Sequence, residues 1–284
     1  MIGHKMWQAL NGLGHDVSGT VHGRRDVFAA YDLFDKRVIE NFEAEAPDAV
    51  TRLLDELQPA VIVNCLGITK RKLEANDVRK MFAVNALFPH HLARWAGRNS
   101  ARVIQFSTDC VFDGSDGGYT ERSVLTADDL YGQSKYFGEL DYDHCLTIRT
   151  SMIGRELAGK TELLEWFLAQ RGKTVSGFKG SRYSGLTTLE MGTIIRKIIE
   201  ELPGLSGRYQ IAGPVITKYD LLCLLRDSFG MDVQIMPDEK FQCDRTLQSD
   251  RFFQATRIRV SSWQDMIAGL VRERALYDRS VINN

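Results

Sequence analysis

No apolar run in these 284 residues approaches the ~18 that a membrane-spanning helix needs. No charged segment followed by an apolar stretch opens the sequence, so neither a membrane protein nor an exported one is expected. A surplus of either charge is also missing: 36 Lys+Arg stand against 37 Asp+Glu, for a formal net charge of -1. Nucleic-acid binders usually show a basic surplus or stripe, and that class is set aside. Cysteine is sparse. Cys65, Cys110, Cys145, Cys223 and Cys243 are scattered and include no C-x-x-C pair. They suggest neither a disulfide framework nor a zinc site, and fit free thiols in a reducing cytoplasm. Of the six histidines, His90 and His91 are adjacent. On a helix they point about 100° apart and cannot close on one ion, so no metal site is expected.

What the sequence does have is alternation. Short apolar runs take turns with longer amphipathic ones, the signature of repeated βα units and a parallel sheet. Residues 17–21 form a short strand candidate. Residues 47–58 read as a helix, with Pro47 in the first turn and Leu53, Leu54 and Leu57 on one face. Residues 60–65 read as a strand buried on both faces, 75–98 as a helix, and 103–106 as another buried strand. A helix over 127–141, a strand over 146–149 and helices over 163–170 and 189–202 follow. Beyond about residue 170 the alternation weakens, leaving a strand at 206–211 and a helix at 219–229 in a smaller lobe. The pattern is that of a doubly wound α/β fold.

The segment that carries chemistry is Tyr131-Gly-Gln-Ser-Lys135. Tyr and Lys four apart share one helix face. A phenol with a pKa near 10 exchanges protons poorly at neutral pH. A neighbouring ammonium favours the phenolate and is expected to bring that pKa towards the working range. Alone, this spacing is common on solvated helices. A second feature strengthens it: Ser107 and Thr108 follow the strand at 103–106, the sheet edge where ligands bind in this fold class. Either hydroxyl is suited to hold a substrate carbonyl for the tyrosine, and either is also suited to cap the turn that leaves the strand.

Ser107-Thr-Asp-Cys-Val-Phe-Asp-Gly114, Tyr119-Thr-Glu121 and Tyr131-Gly-Gln-Ser-Lys-Tyr-Phe-Gly-Glu139 together resemble the extended short-chain dehydrogenase/reductase superfamily. Within it, the chain is most similar to the dTDP-4-dehydrorhamnose reductase family. Asn64-Cys-Leu-Gly67, Asn85-Ala-Leu-Phe-Pro89, Arg149-Thr-Ser151 and Ser184-Gly-Leu-Thr-Thr188 extend the resemblance over nearly the whole chain. It implies a Rossmann-like cofactor domain over residues 1–170 and a substrate lobe over 171–284, some of whose segments return to the sheet. It also implies NAD(P)H-dependent reduction of a 4-keto group on a nucleotide-linked 6-deoxy sugar, in surface-polysaccharide precursor synthesis. By matching motif, Tyr131 donates the proton, Lys135 tunes the tyrosine and holds the nicotinamide ribose, and Thr108 with its neighbour Ser107 holds the keto oxygen. Ile2, Gly3, Leu66, Gly67 and Asn85 would line the cofactor. Asp109, Cys110, Arg155, Arg182 and Tyr183 would face the substrate. Cys110 stands where the family often has a tyrosine, and reads as a packed thiol because hydride transfer to a ketone needs no nucleophile.

The front of the chain departs from the family. Gly3 matches the last glycine of the G-x-x-G-x-x-G turn, while the strand and the two glycines before it are missing. The expectation is that Met1 is an internal methionine and that the natural chain starts about a dozen residues upstream. A partner's strand or a rearranged edge is the rival way to fill the gap. The second strand ends Thr20-Val-His-Gly-Arg-Arg25 with no acidic residue at its tip, so Arg24 and Arg25 favour NADPH over NADH. Two other readings stand beside the reductase: an epimerase or dehydratase of the same superfamily, and a non-catalytic NADP-binding regulatory subunit. A homodimer is the default assembly.

Overall fold

The computed structural model describes residues 1–11, 14–70, 76–159 and 161–278. Its centre is a four-stranded parallel sheet of β3 (Val61–Asn64), β4 (Arg102–Phe106), β5 (Cys145–Arg149) and β9 (Gly207–Gln210), in that order. A separate parallel pair, β1 (Gly19–Thr20) and β2 (Val38–Ile39), lies at the front. No described strand pairs with the second edge of β3 or joins it to β1.

Helices cover both faces. On one side α1 (Ile2–Asn11) and α7 (Thr188–Glu201) bring Met6, Met191, Ile194, Ile195 and Ile198 against Ile104, Phe106, Leu146 and Ile148. On the other, α2 (Pro47–Leu57) and α4 (Phe88–Arg98) set Val50, Leu54, Leu92 and Trp95 against Val103 and Cys145. Each such aliphatic side chain contributes roughly 1.5–3 kcal/mol on burial. The doubly wound arrangement read from the sequence is therefore present. β3 departs from its expected burial: Val61, Ile62 and Val63 are only partly buried, whereas β5 is buried throughout. The cause is its single hydrogen-bonded neighbour.

The helix expected over 75–98 is three pieces, α3 (Val78–Phe82), a π-helical turn (Ala83–Leu87) and α4, with Ala75 outside the described residues. Pro89 explains the break, since it lacks an N–H and its ring crowds the carbonyl four residues back, that of Asn85. The helix expected over 127–141 is shorter. α5 (Leu130–Phe137) starts where the Asp129 side chain accepts from the Gly132 N–H and stops at Gly138.

β6 (Met152–Ile153) pairs with β8 (Leu186–Thr187), and α6 (Leu163–Leu168) lies between them in sequence. The later chain forms a second sheet that pattern reading missed: β10 (Ile216–Thr217), β7 (Thr174–Tyr183) and β11 (Gln234–Asp244), with α8 (Lys218–Phe229) packed on it. Helices α9 (Asp250–Thr256), α10 (Trp263–Arg272) and α11 (Arg274–Asp278) close the fold. α11 returns to the front, where Tyr277 OH pairs with His4 Nε2 at 2.7 Å and Glu273 with Lys5 Nζ at 2.7 Å.

Candidate active site

The site grows from the end of β4. Ser107 and Thr108 leave the strand almost fully buried, and Thr108 caps a short 3-10 turn (Asp109–Val111) by accepting from the Cys110 N–H at 3.1 Å. Its hydroxyl also donates to Asp109 Oδ1 at 3.2 Å and faces the Tyr131 phenol. So Thr108 both caps the turn and addresses the tyrosine. Ser107 does not share that role: its hydroxyl donates to Glu139 Oε1 at 2.7 Å.

Tyr131 and Lys135 lie on α5 as their spacing predicts. Their side chains reach different partners. Lys135 Nζ donates to the Phe106 carbonyl at 2.7 Å, and the groups acting on Tyr131 are Cys110, Thr108, Asp109 and Glu162. Burial pushes the phenol above its ordinary range, with the neighbouring Cys110 thiol and Asp109 carboxylate adding to the rise and the Thr108 hydrogen bond opposing it. The tyrosine is thus a neutral proton donor in this arrangement. Burial also lowers Lys135 to about 8, against the pull of Glu139.

The loop after β3 closes the other side. Asn85, fully buried on the π-turn, accepts from the Ile68 N–H at 2.8 Å and donates to the Ile68 carbonyl at 2.9 Å and to Ser134 Oγ at 3.0 Å. Leu66 donates its N–H to Asn64 Oδ1 at 3.1 Å. A Cβ on Gly67 would stand 3.3 Å from Asn85 Oδ1 and 3.7 Å from Lys135 Nζ, so the loop runs close beside the lysine. Ile2 and Gly3 open α1, and Gly3 lies beside Cys65 at the end of β3.

Among the remaining candidates, Asp109 and Cys110 join the site. The Cys110 thiol is pushed up to about 12, chiefly by burial and next by the Asp109 charge, which suits a packed thiol. Tyr183 is buried with Asp109 and Cys110 among the charges acting on it, and Lys218 lies over its ring at 4.1 Å. Arg155 is elsewhere: its Nε pairs with Glu165 Oε1 at 2.5 Å and its guanidinium lies over Tyr277 at 4.6 Å. Arg182 is exposed on β7 and pairs with Asp244 at 3.3 Å. Arg24 is exposed and paired with Asp26 at 2.7 Å. Arg25 donates its backbone N–H to Glu40, an acid beside this loop that the sequence reading overlooked.

The family model for the RmlD substrate binding domain matches residues 2–167, more than half of the chain. The chain belongs to this family. A dTDP-4-dehydrorhamnose reductase of Aggregatibacter actinomycetemcomitans is 28% identical over 190 residues, 63% of this chain and 65% of that protein. Methionine adenosyltransferase 2 subunit beta of Pongo abelii is 26% identical over 204 residues, 65% of this chain and 59% of that protein. The chain thus spans less than two thirds of the length of the curated relatives it matches. A dTDP-4-dehydrorhamnose reductase from Bacillus anthracis, solved in complex with NADP, shares the fold at a TM-score of 0.74 and 18% identity, over 89% of this chain and 97% of that one.

The site also contains groups to which the sequence reading gave no role. Glu139 accepts from Ser107, Arg149 and Arg208. Its place one turn after Lys135 was the available signal. Arg245 donates to the Phe112 carbonyl at 2.8 Å and reaches Cys110 Sγ at 3.9 Å, and Lys70 lies 5.8 Å from the Tyr131 ring. Arg245 comes from the far end of β11, so no local pattern pointed to it.

Proposed function

We propose that the chain is an NAD(P)H-dependent oxidoreductase that reduces the 4-keto group of a nucleotide-linked 6-deoxy sugar. The observation that carries this reading is the buried, neutral Tyr131 phenol facing the Thr108 hydroxyl at the carboxyl end of β4. A proton donor and a hydroxyl meeting at one point are what a carbonyl needs when it becomes an alcohol.

The residues present fit a nicotinamide dinucleotide. α1 opens beside the end of β3, and the first N–H groups of a helix have no partner within it, an arrangement suited to a pyrophosphate. Gly67 leaves no side chain between its loop and Lys135, whose ammonium has three donors of which Phe106 takes one. When bound, the cofactor supplies the hydride. Tyr131 gives its proton to the oxygen of the new alcohol, and Thr108 donates to the same oxygen and polarises the carbonyl. Lys135 holds the ribose. The sugar then lies against Thr108, Asp109, Cys110 and Tyr183, and residues 1–170 and 171–284 act as cofactor and substrate lobes. Exposed Arg24 favours NADPH, and Glu40 beside Arg25 leaves NADH open.

A non-catalytic binding subunit is the second reading, favoured by the similarity to methionine adenosyltransferase 2 subunit beta. The epimerase or dehydratase reading is weaker, because Asp109 is followed by Cys110 rather than by a second acid. We also propose action in the cytoplasm, in keeping with five free thiols, and assembly as a homodimer, the commonest closed assembly. The test is NADPH oxidation with a dTDP-4-keto-6-deoxy sugar, by the chain and by Tyr131→Phe, beside an NADPH titration of both. Turnover that survives in Tyr131→Phe would sink the mechanism, and NADPH binding with no turnover in the unsubstituted chain would put the subunit reading first.

A further inference from the structure

We propose that Glu139 is the positioning residue of this site, a single buried carboxylate that fixes the strand corner carrying Thr108 and sets the charge field around Lys135. The inference rests on the reading of Tyr131, Thr108 and Lys135 as the working set.

Glu139 stands one helical turn past Lys135, just after α5, and its side chain is 5% exposed. Oε1 accepts from Ser107 Oγ at 2.7 Å and Arg149 Nε at 2.7 Å. Oε2 accepts from Arg149 Nη2 at 2.7 Å and Arg208 Nη1 at 3.0 Å. Three neighbouring strands, β4, β5 and β9, are thereby tied to one group. Lys135 meanwhile holds the carbonyl of Phe106, the residue before Ser107. Two side chains of one helical segment therefore grip consecutive residues, and the next residue is Thr108.

Gly138 makes this possible. A Cβ there would stand 1.9 Å from the Asn85 carbonyl oxygen, the carbonyl that Pro89 leaves without its helical partner. A side chain at 138 would push the segment outward and carry Glu139 away from its partners.

Holding three strands together does not by itself require a charge. Well-packed apolar groups often replace buried ion pairs without loss of stability. What an apolar group would not supply is a negative charge one turn from Lys135. Glu139 is the charged group that acts on this ammonium, opposing the lowering caused by burial. Arg149 faces the carboxylate from β5 and Arg208 from β9, with Ser107 on β4. Tyr131 lies on the same helix as Lys135, with Asp109, Cys110 and Glu162 acting on the phenol.

The test reads the Lys135 amine by NMR in lysine-labelled protein, with Lys135→Arg to assign its signal. Glu139→Gln keeps an acceptor for Ser107 and removes the charge, so the acid constant of Lys135 should rise about tenfold or more. Arg208→Gln, at a side chain 29% exposed, should fold normally and act the other way, lowering that constant about twofold. Should Glu139→Gln unfold, Glu139→Gln with Arg149→Met removes the buried pair together, and the acid constant of Lys135 should then rise by less than in Glu139→Gln because the lost Arg149 charge offsets part of the effect. A Lys135 titration unmoved in every folded variant overturns the proposal. In turnover assays Glu139→Gln should lower kcat/KM and move its alkaline limb to lower pH, with Glu139→Asp restoring the limb. If the unsubstituted chain turns nothing over, the reductase reading fails, and the lysine titration still decides for or against Glu139.

Discussion

The corner at the end of β4 and the front of the molecule are built to different standards. At the corner, Ser107, Thr108 and Lys135 are almost fully buried and each polar group has a specific partner. At the front, β1 and β2 are two residues each and the Arg24 side chain is 73% exposed. The contrast separates two tasks. Proton transfer needs groups held to a fraction of an ångström before the substrate arrives. Holding a dinucleotide's phosphates draws on backbone N–H groups and mobile cations, which a ligand can order as it binds.

That contrast breaks most visibly at the tyrosine. Tyr131→Phe should lower turnover by two to four powers of ten, the usual worth of a positioned acid, while NADPH affinity stays unchanged in the titration. Next comes Gly138→Ala. The contact with the Asn85 carbonyl should cost about 3 kcal/mol, the upper end of overpacking, and lower Tm by roughly 5–10 °C in a thermal melt.

Lys135 gives the pH signature. Its folded value of about 8 lies below the ordinary 10.5. The ammonium is therefore lost above about pH 8, and kcat/KM should fall there, as a pH-rate profile would show. Stability runs the other way. Between about 8 and 10.5 the unfolded chain keeps a proton that the folded chain has released, so this group makes folding more favourable as pH rises. Denaturant melts across that window should lose this contribution in Lys135→Met. The smallest effect belongs to the front. Arg24→Ala should weaken NADPH by less than about tenfold and leave NADH alone, since an exposed ion pair contributes ~0–1 kcal/mol.

The corner was legible because its signals are local. A buried apolar run, two hydroxyls at its end, and Tyr and Lys at one helical turn all fall within residues 102–135. What those signals did not reveal is where a long side chain turns. The Lys135 amine reaches the Phe106 carbonyl and burial raises the Tyr131 phenol, two features that the Tyr–Lys spacing alone does not carry. Arg155 was misplaced for a similar reason: from sequence it is a loop cation, and in the fold Glu165 and Tyr277 hold it. β7 alternates buried and exposed residues over much of its length, yet Gly177 and Gly180 interrupt the apolar pattern and hid it. Arg245 and the α11 contacts to His4 and Lys5 join residues more than a hundred apart, beyond any local pattern.

The place of β9 has a consequence for how the protein can be made and cut. Residues 207–210 complete the main sheet beside residues 146–149, and Arg208 supplies the last anchor on Glu139. During synthesis the first 170 residues therefore emerge with β5 as an open, apolar edge, a surface prone to pairing with other chains. Residues 1–170 and 171–284 are thus not separable in folding. A fragment ending at residue 170 should aggregate, and co-expressing residues 171–284 should rescue it.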